Sequence, residues 1–439
     1  MARLDDPRFA PDCTITFDGA QVPARTGESV AAALLAAGRT IVARSSKYHR
    51  PRGAFCLAGS CNQCLARVDG LPNQRTCRTP CRAGLVVETQ NTLGSAASDL
   101  LGIVDRVYSR GLDHHRLMTW NRIANRAAVA VSRQLAGLGK LPAHVVAPFP
   151  PVREERVDAL VVGAGPAGLG AAEVLVSAGA HVLLADQERR AGGRLRCRLE
   201  LAGDPPLAWV GDVAGAIARA DGEVALSATV TGLWTDGGLC AVLLEDGPPP
   251  RLRLVRPKRV IIATGTHAQP PAFEDSDLPG VLAARGLLVA LAEHGTVPGE
   301  RIAVLGSGPE ADAVAARLTA AGSQVARAGA APLRAIGRGR LASTLAAIEL
   351  ADGTRLDCDA LAVATARAPA AELPRLLGAR MTFDAGSGNF QVSAGERGRV
   401  AAAVYAAGEV LGAMDAAAAA ESGRRAAEGA LAEAEADRG

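Results

Sequence analysis

Aromatic residues are scarce in this sequence, and several signals that assign a protein class directly are missing. Phe, Tyr and Trp make up 3% of the 439 residues, so the cores must be built largely from Ala, Val and Leu. No uninterrupted apolar run approaches the ~20 residues of a membrane span, and the opening MARLDDPRFAPDC lacks the apolar core of a signal peptide. The net charge of +3 is too small to indicate nucleic acid or a membrane as partner. A soluble, cytoplasmic protein is predicted.

Nine cysteines are present, and five of them fall within one short segment. Cys56, Cys61 and Cys64 have the spacing C-x4-C-x2-C, and Cys77 follows twelve residues later. This is the plant-type [2Fe–2S] pattern, in which four thiolates converge on two irons and three come from one tight loop. Zinc and inert thiols are the alternatives, although zinc sites more often use two C-x2-C pairs. Cys81 is a fifth thiol that could replace Cys77, but Cys77 suits the spacing better.

The segments around these cysteines predict a small mixed sheet that holds one helix. Asp18-Gly19 indicates a hairpin between two strands, residues 29–37 form an apolar helix that ends at Gly38, and residues 85–89 form a closing strand. We therefore expect a β-grasp, ferredoxin-like domain over residues 1–95. Residues 96–152 are predicted to be a helical connector that ends in a Pro-rich linker. Its adjacent His114 and His115 lack Cys or carboxylate neighbours, which favours solvated side chains over ligands.

The most specific nucleotide signal is the stretch VDALVVGAGPAGLGAAEVLVSAGAHVLLAD, residues 157–186. It contains Gly163, Gly165 and Gly168 in the spacing G-x-G-x-x-G, between an apolar strand and a helix, and a second strand that ends on Asp186. This is the dinucleotide fingerprint in its required context. The glycines allow the turn and the approach of a pyrophosphate, the helix N-terminus favours its charge, and Asp186 can accept hydrogen bonds from ribose hydroxyls.

Three further segments are predicted to line the same cofactor. Gly193 and Arg194 lie in AGGRL, where a glycine pair allows the backbone to approach the pyrophosphate. Thr264 and Gly265 end the strand RVIIATG, where the chain must pass close to the cofactor. Glu409 lies in VYAAGEVLGAM, which resembles the ending of two-dinucleotide flavoproteins. That resemblance implies a carboxylate on the ribityl chain, usually that of an Asp; Glu409 is one methylene longer.

A second strand-turn-helix unit begins at residue 301. Gly306, Gly308 and Ala311 repeat the glycine spacing, but the next strand ends without an acidic residue. Arg327 near that end could accept a 2′-phosphate and favour NADP; the alternative is a domain that keeps the fold and binds weakly or not at all. A helix near residues 342–349 and strands around 357–365 are expected to complete this domain. The predicted class is α/β, with domains at 153–275 plus 395–439 and at 276–394.

Several of these segments together resemble a known family. The chain resembles the N-terminal half of the alpha subunit of heterotetrameric sarcosine oxidase, and is similar to subunits of hydrogen cyanide synthase and of opine, proline and hydroxyproline dehydrogenases. The resemblance rests on RSSKYHRPRG at residues 44–53, AGLG at 136–139, GAGPAG, AGGRL, ATG and AAGEV. All four predicted cluster cysteines are present, which aligns the chain with the cyanide synthase and dehydrogenase branch.

The resemblance implies an electron-transfer subunit of a multisubunit amine or amino-acid oxidase. A separate D-amino-acid-oxidase-like FAD subunit would oxidise the C–N bond, and FMN would sit at a subunit interface. The first dinucleotide fold would hold FAD, or NAD as in sarcosine oxidase. No residue of the chain is predicted to be catalytic. Two alternatives remain: a self-contained NAD(P)H-dependent FAD/[2Fe–2S] oxidoreductase, and a non-enzymatic scaffold that binds a dinucleotide.

Overall fold

The computed structural model describes residues 2–46, 48–92, 96, 99, 102, 121–126, 150–235, 237–247, 249–338, 344–365 and 367–436. The chain divides into two compact units. One consists of Met1–Val146 and Pro270–Thr365, and the other of Ala147–Gln269 and Ala366–Gly439. The helices predicted for the connector, the pair His114 and His115, and the AGLG segment lie wholly or largely outside the described residues.

The strands of the first unit come from both of its chain segments. From the N-terminal segment they are Ala2–Arg3 (β1), Cys13–Phe17 (β2), Ala20–Ala24 (β3), Ala43–Arg44 (β4), Pro51–Arg52 (β5), Leu65–Val68 (β6), Leu71–Arg75 (β7) and Val86–Glu88 (β8). The strands between the two segments are Arg153–Val162 (β9), Val182–Asp186 (β10), Glu223–Leu226 (β11), Ala228–Trp234 (β12), Cys240–Glu245 (β13), Arg251–Ile262 (β14) and Thr266–His267 (β15), which belong to the second unit.

The first unit then continues with Val281–Ala283 (β16), Thr296–Val297 (β17), Arg301–Leu305 (β18), Gln324–Ala328 (β19), Pro332–Arg338 (β20), Thr344–Leu350 (β21), Arg355–Asp357 (β22) and Ala360–Val363 (β23). The second unit ends with Ala368–Pro369 (β24), Met381–Asp384 (β25), Asn389–Val392 (β26), Arg399–Ala401 (β27) and Val404–Ala406 (β28). The α-helices are Val30–Ala36 (α1), Pro166–Ser177 (α2), Leu207–Arg219 (α3), Ala284–His294 (α4), Pro309–Ala320 (α5), Glu372–Leu376 (α6) and Ala416–Ala436 (α7). Short 3-10 helices lie at Pro7–Phe9, Gly193–Cys197, Glu396–Gly398 and Gly408–Leu411.

The N-terminal sheet has the order β3-β2-β8-β6-β7. Burial alternates along β2, where Ile15 and Phe17 are buried and their neighbours are not, as expected of a strand with one face on a core. Helix α1 begins where the Ser29 side chain accepts a hydrogen bond from the Ala32 N–H, and Gly38 follows it with φ +73°. The predicted mixed sheet with one short helix is confirmed.

The rest of the first unit contains a parallel sheet, β16-β23-β18-β19. The central strand β23 is buried along its whole length, which is typical of a parallel strand covered on both faces. Beside it lies an antiparallel sheet, β20-β21-β22. The helix predicted near residues 342–349 is wrong, because Thr344–Leu350 is strand β21, paired on both sides.

The second unit is built on an eight-stranded sheet. Strands β11, β10, β9, β14 and β28 are parallel, and β13 and β12 extend the sheet as an antiparallel meander from β14. Helix α2 follows β9 and packs closely on helix α7, so that a Cβ on Gly170 would lie 2.3 Å from the carbonyl oxygen of Ala420. Because β9, β10 and β14 are parallel neighbours, their carboxyl ends lie side by side. The GAGPAG, AGGRL and ATG motifs of the first dinucleotide fold follow these three ends. The predicted α/β fold class is confirmed.

Candidate cofactor sites

Three of the clustered cysteines lie on the loop between β5 and β6, and Cys77 is the second residue after β7. Leu57 and Asn62 have left-handed φ values of +52° and +54°, and Gly59 has +75°. Non-glycine residues rarely adopt this conformation without surrounding constraint. The loop is therefore wound tightly enough to direct several side chains inward.

The four thiols interact with one another. Hydrogen bonds from Cys61 and then Cys77 lower the pKa of the Cys56 thiol well below its usual range. The Cys77 thiol likewise lowers the pKa of Cys64 to about 7, while these same bonds raise the pKa values of Cys61 and Cys77. Cys56, Cys64 and Cys77 are buried. Four sulfurs within mutual reach are the donor set that a [2Fe–2S] cluster requires.

The thiols and a nearby backbone N–H suit an iron–sulfur cluster, in which four thiolates are divided between two irons. The Ala58 N–H also points to the Cys56 sulfur, at 3.4 Å. The residues present therefore fit the cluster.

Two arginines that sequence reasoning missed support this loop. Arg75 donates from Nη1 to the Gly59 carbonyl oxygen at 2.8 Å. The Arg78 side chain packs on Gly59, where a Cβ would lie 2.9 Å from its Cδ atom. The Thr76 hydroxyl donates to the Cys64 carbonyl at 2.9 Å. Arginines three residues apart beside a cysteine form no recognised motif, so only the fold could identify them.

The first dinucleotide turn joins β9 to α2. Gly163 has φ +105°, and a Cβ there would lie 2.3 Å from the Ala263 carbonyl oxygen; a Cβ on Gly168 would lie 1.7 Å from the Gly163 carbonyl oxygen. Beside Gly165 the nearest atom to a Cβ would be the Gly193 Cα, at 3.9 Å. Gly163 and Gly168 thus make close backbone packing, whereas the space next to Gly165 is open. This open space at a helix N-terminus fits a pyrophosphate.

The ends of the turn are tied to the predicted acid and to the second glycine pair. The Ala164 N–H donates to the Asp186 carboxylate at 2.6 Å, and the Gly192 N–H donates to the Ala164 carbonyl at 2.7 Å. Gly193, with φ +50°, approaches Gly165 closely. The structure therefore brings Gly163, Gly165, Asp186 and Gly193 together, as the sequence motif predicted for one cofactor turn.

Thr264 and Gly265 lie at the end of β14 and are bonded to the chain near residue 370. The Thr264 hydroxyl donates to the Ala370 carbonyl at 2.8 Å, and the Ala370 N–H donates to the Gly265 carbonyl at 2.9 Å. This part of the site is therefore fixed by residues that the sequence assigned to the other domain. The Thr264 side chain is already used in this contact.

Glu409 is 8% exposed and lies between two arginines. Arg194 Nη1 approaches its carboxylate at 3.4 Å, and Arg367 Nη2 at 3.1 Å. Arg367 also donates to the Thr266 hydroxyl at 3.2 Å. Arg367 was missed by sequence reasoning, because it lies 42 residues from Glu409 and belongs to no motif. Arg194 and Glu409, each predicted to line the cofactor, therefore contact each other.

The second glycine turn, Gly306 and Gly308, joins β18 to α5. Gly306 has φ +133° and Gly308 has φ +82°. Arg327 was predicted to bind a 2′-phosphate. It donates to the Gly306 carbonyl at 2.9 Å and pairs with Asp312 at 2.7 Å. Its guanidinium is thus held by the turn itself.

Comparison with known families defines the class of protein. Residues 10–92 match the model of the 2Fe-2S iron-sulfur cluster binding domain, and residues 157–339 match that of the pyridine nucleotide-disulphide oxidoreductases. One chain thus joins an iron–sulfur domain to a dinucleotide-binding oxidoreductase fold. These matches confirm the predicted cofactor classes, a [2Fe–2S] cluster and FAD.

Two relatives define the family. Sarcosine oxidase subunit alpha of Rhizobium meliloti (strain 1021) is 29% identical over 330 residues, which cover 71% of this chain and 33% of that protein. Hydrogen cyanide synthase subunit HcnA of Pseudomonas aeruginosa is 40% identical over 85 residues, which cover 19% of this chain and 81% of that protein. The chain belongs to the family of these oxidase and synthase subunits. It spans about a third of the length of the sarcosine oxidase alpha subunits that it matches.

A solved structure shares the fold over nearly the whole chain. The crystal structure of L-proline dehydrogenase from P. horikoshii aligns with a TM-score of 0.77 and 21% identity, over 99% of this chain and 76% of that one. At this identity the likeness concerns the fold alone. Among the described helices, none is both long enough and apolar enough to cross a membrane.

Proposed function

We propose that this chain is the electron-transfer subunit of a multisubunit amine or amino-acid oxidase or dehydrogenase. The observation that carries the proposal is the combination of four mutually interacting thiols with an open dinucleotide turn in a chain of this family. The iron–sulfur cluster, when bound, passes electrons singly, and the flavin handles them in pairs. Together they would link the two-electron oxidation of a C–N bond to a one-electron acceptor.

The residues of the first fold would hold the dinucleotide without taking part in bond cleavage. Gly163 and Gly168 would shape the turn, Gly193 would pack against Gly165, and the open space beside Gly165 would leave room for the pyrophosphate. Asp186 would accept from the ribose hydroxyls at the end of β10. Arg194 and Glu409, with Thr264 and Gly265, would face the other half of the cofactor. The fold is proposed to hold FAD; extraction and chromatography of the bound nucleotide would distinguish FAD from NAD.

Cys56, Cys61, Cys64 and Cys77 are the proposed cluster ligands. When bound, the cluster would be held by these four thiolates. Arg75 and Arg78 would keep the loop closed around it. We further propose that the complex works in the cytoplasm, where thiols are kept reduced.

Oxidation of the amine is assigned to a partner, a D-amino-acid-oxidase-like FAD subunit, with FMN at the interface. The support is the resemblance of this chain to subunits of such complexes. The relatives' own substrates differ, so the substrate is proposed only as an amine or amino acid.

The test compares the isolated chain with a partner-containing preparation. The chain is expressed alone and together with any D-amino-acid-oxidase-like FAD protein encoded by a neighbouring open reading frame, and visible absorption is recorded anaerobically after addition of amino acids, sarcosine or NAD(P)H. We expect amine-dependent reduction only when the partner co-purifies. Rapid flavin bleaching by NAD(P)H in the isolated chain would instead support the self-contained oxidoreductase, and a bound dinucleotide that no donor reduces would support a scaffold.

A further inference from the structure

The second dinucleotide fold keeps the backbone of a nucleotide turn. Strand β18 leads into Gly306, where a Cβ would lie 2.3 Å from the Ala364 carbonyl oxygen, and Gly308 precedes α5 with φ +82°. Parallel strands β18 and β19 flank the helix as in the first fold. The backbone of the second fold is therefore compatible with nucleotide binding.

The side chains around this turn, however, supply their own anions. Glu310 and Asp312 lie in the first turn of α5, where a helix N-terminus favours negative charge and where a pyrophosphate would bind. Arg285 holds the Glu310 carboxylate with both Nε, at 3.1 Å, and Nη2, at 2.9 Å. A phosphate entering here would meet two carboxylates of its own sign.

The cation suited to a phosphate is also engaged. Arg327 pairs with Asp312 at 2.7 Å and donates to the Gly306 carbonyl at 2.9 Å. A 2′-phosphate would have to replace Asp312 and lose the contact that holds Arg327 against the turn. Arg327 is thus paired with Asp312 at the protein surface, whereas Arg285 and Glu310 form a more buried pair.

Helix α4, which carries Arg285, contacts the iron–sulfur loop at the next residue. A Cβ on Gly286 would lie 2.0 Å from the carbonyl oxygen of Cys56, a distance that real Cβ atoms do not reach. Just before the helix, the Ala283 N–H donates to the Phe55 carbonyl at 2.9 Å. Only glycine at position 286 lets the cysteine loop lie this close to the helix.

The far end of α4 is bonded to the same N-terminal domain. Arg3 Nη1 donates to the His294 carbonyl at 2.9 Å, and Arg25 Nη1 donates to the Glu293 carbonyl at 3.1 Å. These carbonyls end the helix, where cationic partners are favourable. Both ends of α4 are therefore attached to the domain that carries the four cysteines.

A second attachment accounts for part of the RSSKYHRPRG segment. Arg50 binds Asp277 and Asp275, each at 2.6 Å, and Arg52 binds Asp277 at 2.6 Å. Gly53 lies against Pro279, where a Cβ would have 3.1 Å of separation from the proline Cβ. The distinctive residues of this segment thus fasten the iron–sulfur domain to the second dinucleotide fold.

We infer that the second dinucleotide fold positions the iron–sulfur loop and binds no nucleotide. Gly286 is the positioning residue, because it sets the approach of α4 to the Cys56 carbonyl. Arg285 with Glu310, and Arg327 with Asp312, close the phosphate turn. NAD(P)H therefore does not bind at this fold and cannot reduce the protein there. The inference does not depend on which partner or amine the complex uses.

The positioning of the iron–sulfur loop by α4 is tested with the variant Gly286→Ala of the isolated, cluster-loaded chain. The matched control is Gly329→Ala, where a Cβ would meet nothing within 4 Å. We expect Gly286→Ala to shift the electron paramagnetic resonance signal and midpoint potential of the reduced cluster, or to lose iron while circular dichroism stays native. Gly329→Ala should match wild type. An unchanged cluster signal and iron content in Gly286→Ala would overturn the inference that α4 positions the iron–sulfur loop.

The closed turn is tested on wild-type protein, so that folding of a variant plays no part. Binding of NADPH and NADH is measured by calorimetry with the first-fold cofactor in place, up to about 1 mM, the upper end of usual substrate affinities. We expect no second nucleotide per chain. Binding of a second equivalent that Arg327→Ala weakens tenfold or more would refute the inference, and would leave the proposed partner subunit untouched.

Discussion

The Arg367 guanidinium lies 3.1 Å from the carboxylate of Glu409, although 42 residues separate the two in sequence. Arg194 approaches the same carboxylate from another element, at 3.4 Å. The Arg194 and Glu409 side chains are only 6% and 8% exposed. The acid of the AAGEV motif is therefore held by two cations, and its charge stabilises the fold as well as facing the proposed cofactor.

Replacement of this acid by its neutral isostere should destabilise the protein. In Glu409→Gln the two arginines lose their counter-charge in a buried position, and we expect a loss of about 3 kcal/mol in the free energy of unfolding, the usual cost of breaking a buried pair. Urea denaturation of the cofactor-free protein would measure it. Glu372→Gln is the control, because Glu372 is 71% exposed in its pair with His267; a similar loss in both variants would contradict the prediction.

Packing between α2 and α7 gives a second prediction. A Cβ on Gly423 would lie 1.8 Å from the Ala167 carbonyl oxygen at the start of α2. We expect Gly423→Ala to cost about 3 kcal/mol, the upper range for overpacking, and to weaken dinucleotide binding because the turn at Gly165 adjoins α2. Gly211→Ala in α3, which would meet nothing within 4 Å, should instead gain about 0.5–1 kcal/mol. Thermal unfolding of both variants measures the difference; a Gly423→Ala protein as stable as wild type would be the contrary result.

The cysteine assignment predicts an all-or-none pattern of iron binding. Cys61→Ser and Cys77→Ser should lose the visible absorption of the cluster and most of the iron, because each removes a thiolate ligand. Cys81→Ser and Cys240→Ser should retain both. Iron per chain and the absorption spectrum are the measurements. Retention in Cys77→Ser together with loss in Cys81→Ser would transfer the fourth ligand to Cys81.

The contact between Arg50 and Asp277 predicts a pH dependence of stability. Burial would raise the pKa of the Asp277 carboxyl, but hydrogen bonds and charges from Arg50 and Arg52 outweigh it and hold that pKa below the ordinary 3.8. Because the pKa is lower in the folded state, the ionised carboxylate stabilises the protein at pH values above its unfolded-state pKa. This stabilisation is lost as the pH falls through the folded-state pKa. Asp277→Asn should therefore be less stable at neutral pH and lose less stability between about pH 5 and pH 3. Urea unfolding across this range measures it, with Asp5→Asn, at an exposed position, as control; parallel curves for Asp277→Asn and wild type would contradict it.

The sequence predicted those parts of the molecule whose chemistry is local. Gly163, Gly165 and Asp186 lie within one strand-turn-strand unit, and their spacing alone requires the geometry that the structure has. The spacing of Cys56, Cys61 and Cys64 is local in the same way. By contrast, Arg367 reaches Glu409 only because β15 pairs with β24, and no sequence period reports that pairing.

The wrong helix near residues 342–349 has a related cause. The segment TLAAIEL is rich in good helix formers, yet it forms β21 because β20 and β22 pair with it on both sides. The neighbouring strands decide the structure of this segment, so local propensity could not predict it.

The close contact between α2 and α7 also sets an order of events during synthesis. Helix α7 begins about 250 residues after α2, and at the usual 5–20 residues per second a ribosome needs roughly 10–50 s to cover that distance. Until then the first glycine turn emerges without the helix that packs against Ala167. We therefore expect the iron–sulfur domain to be translated well before the fold of the first dinucleotide site can be completed.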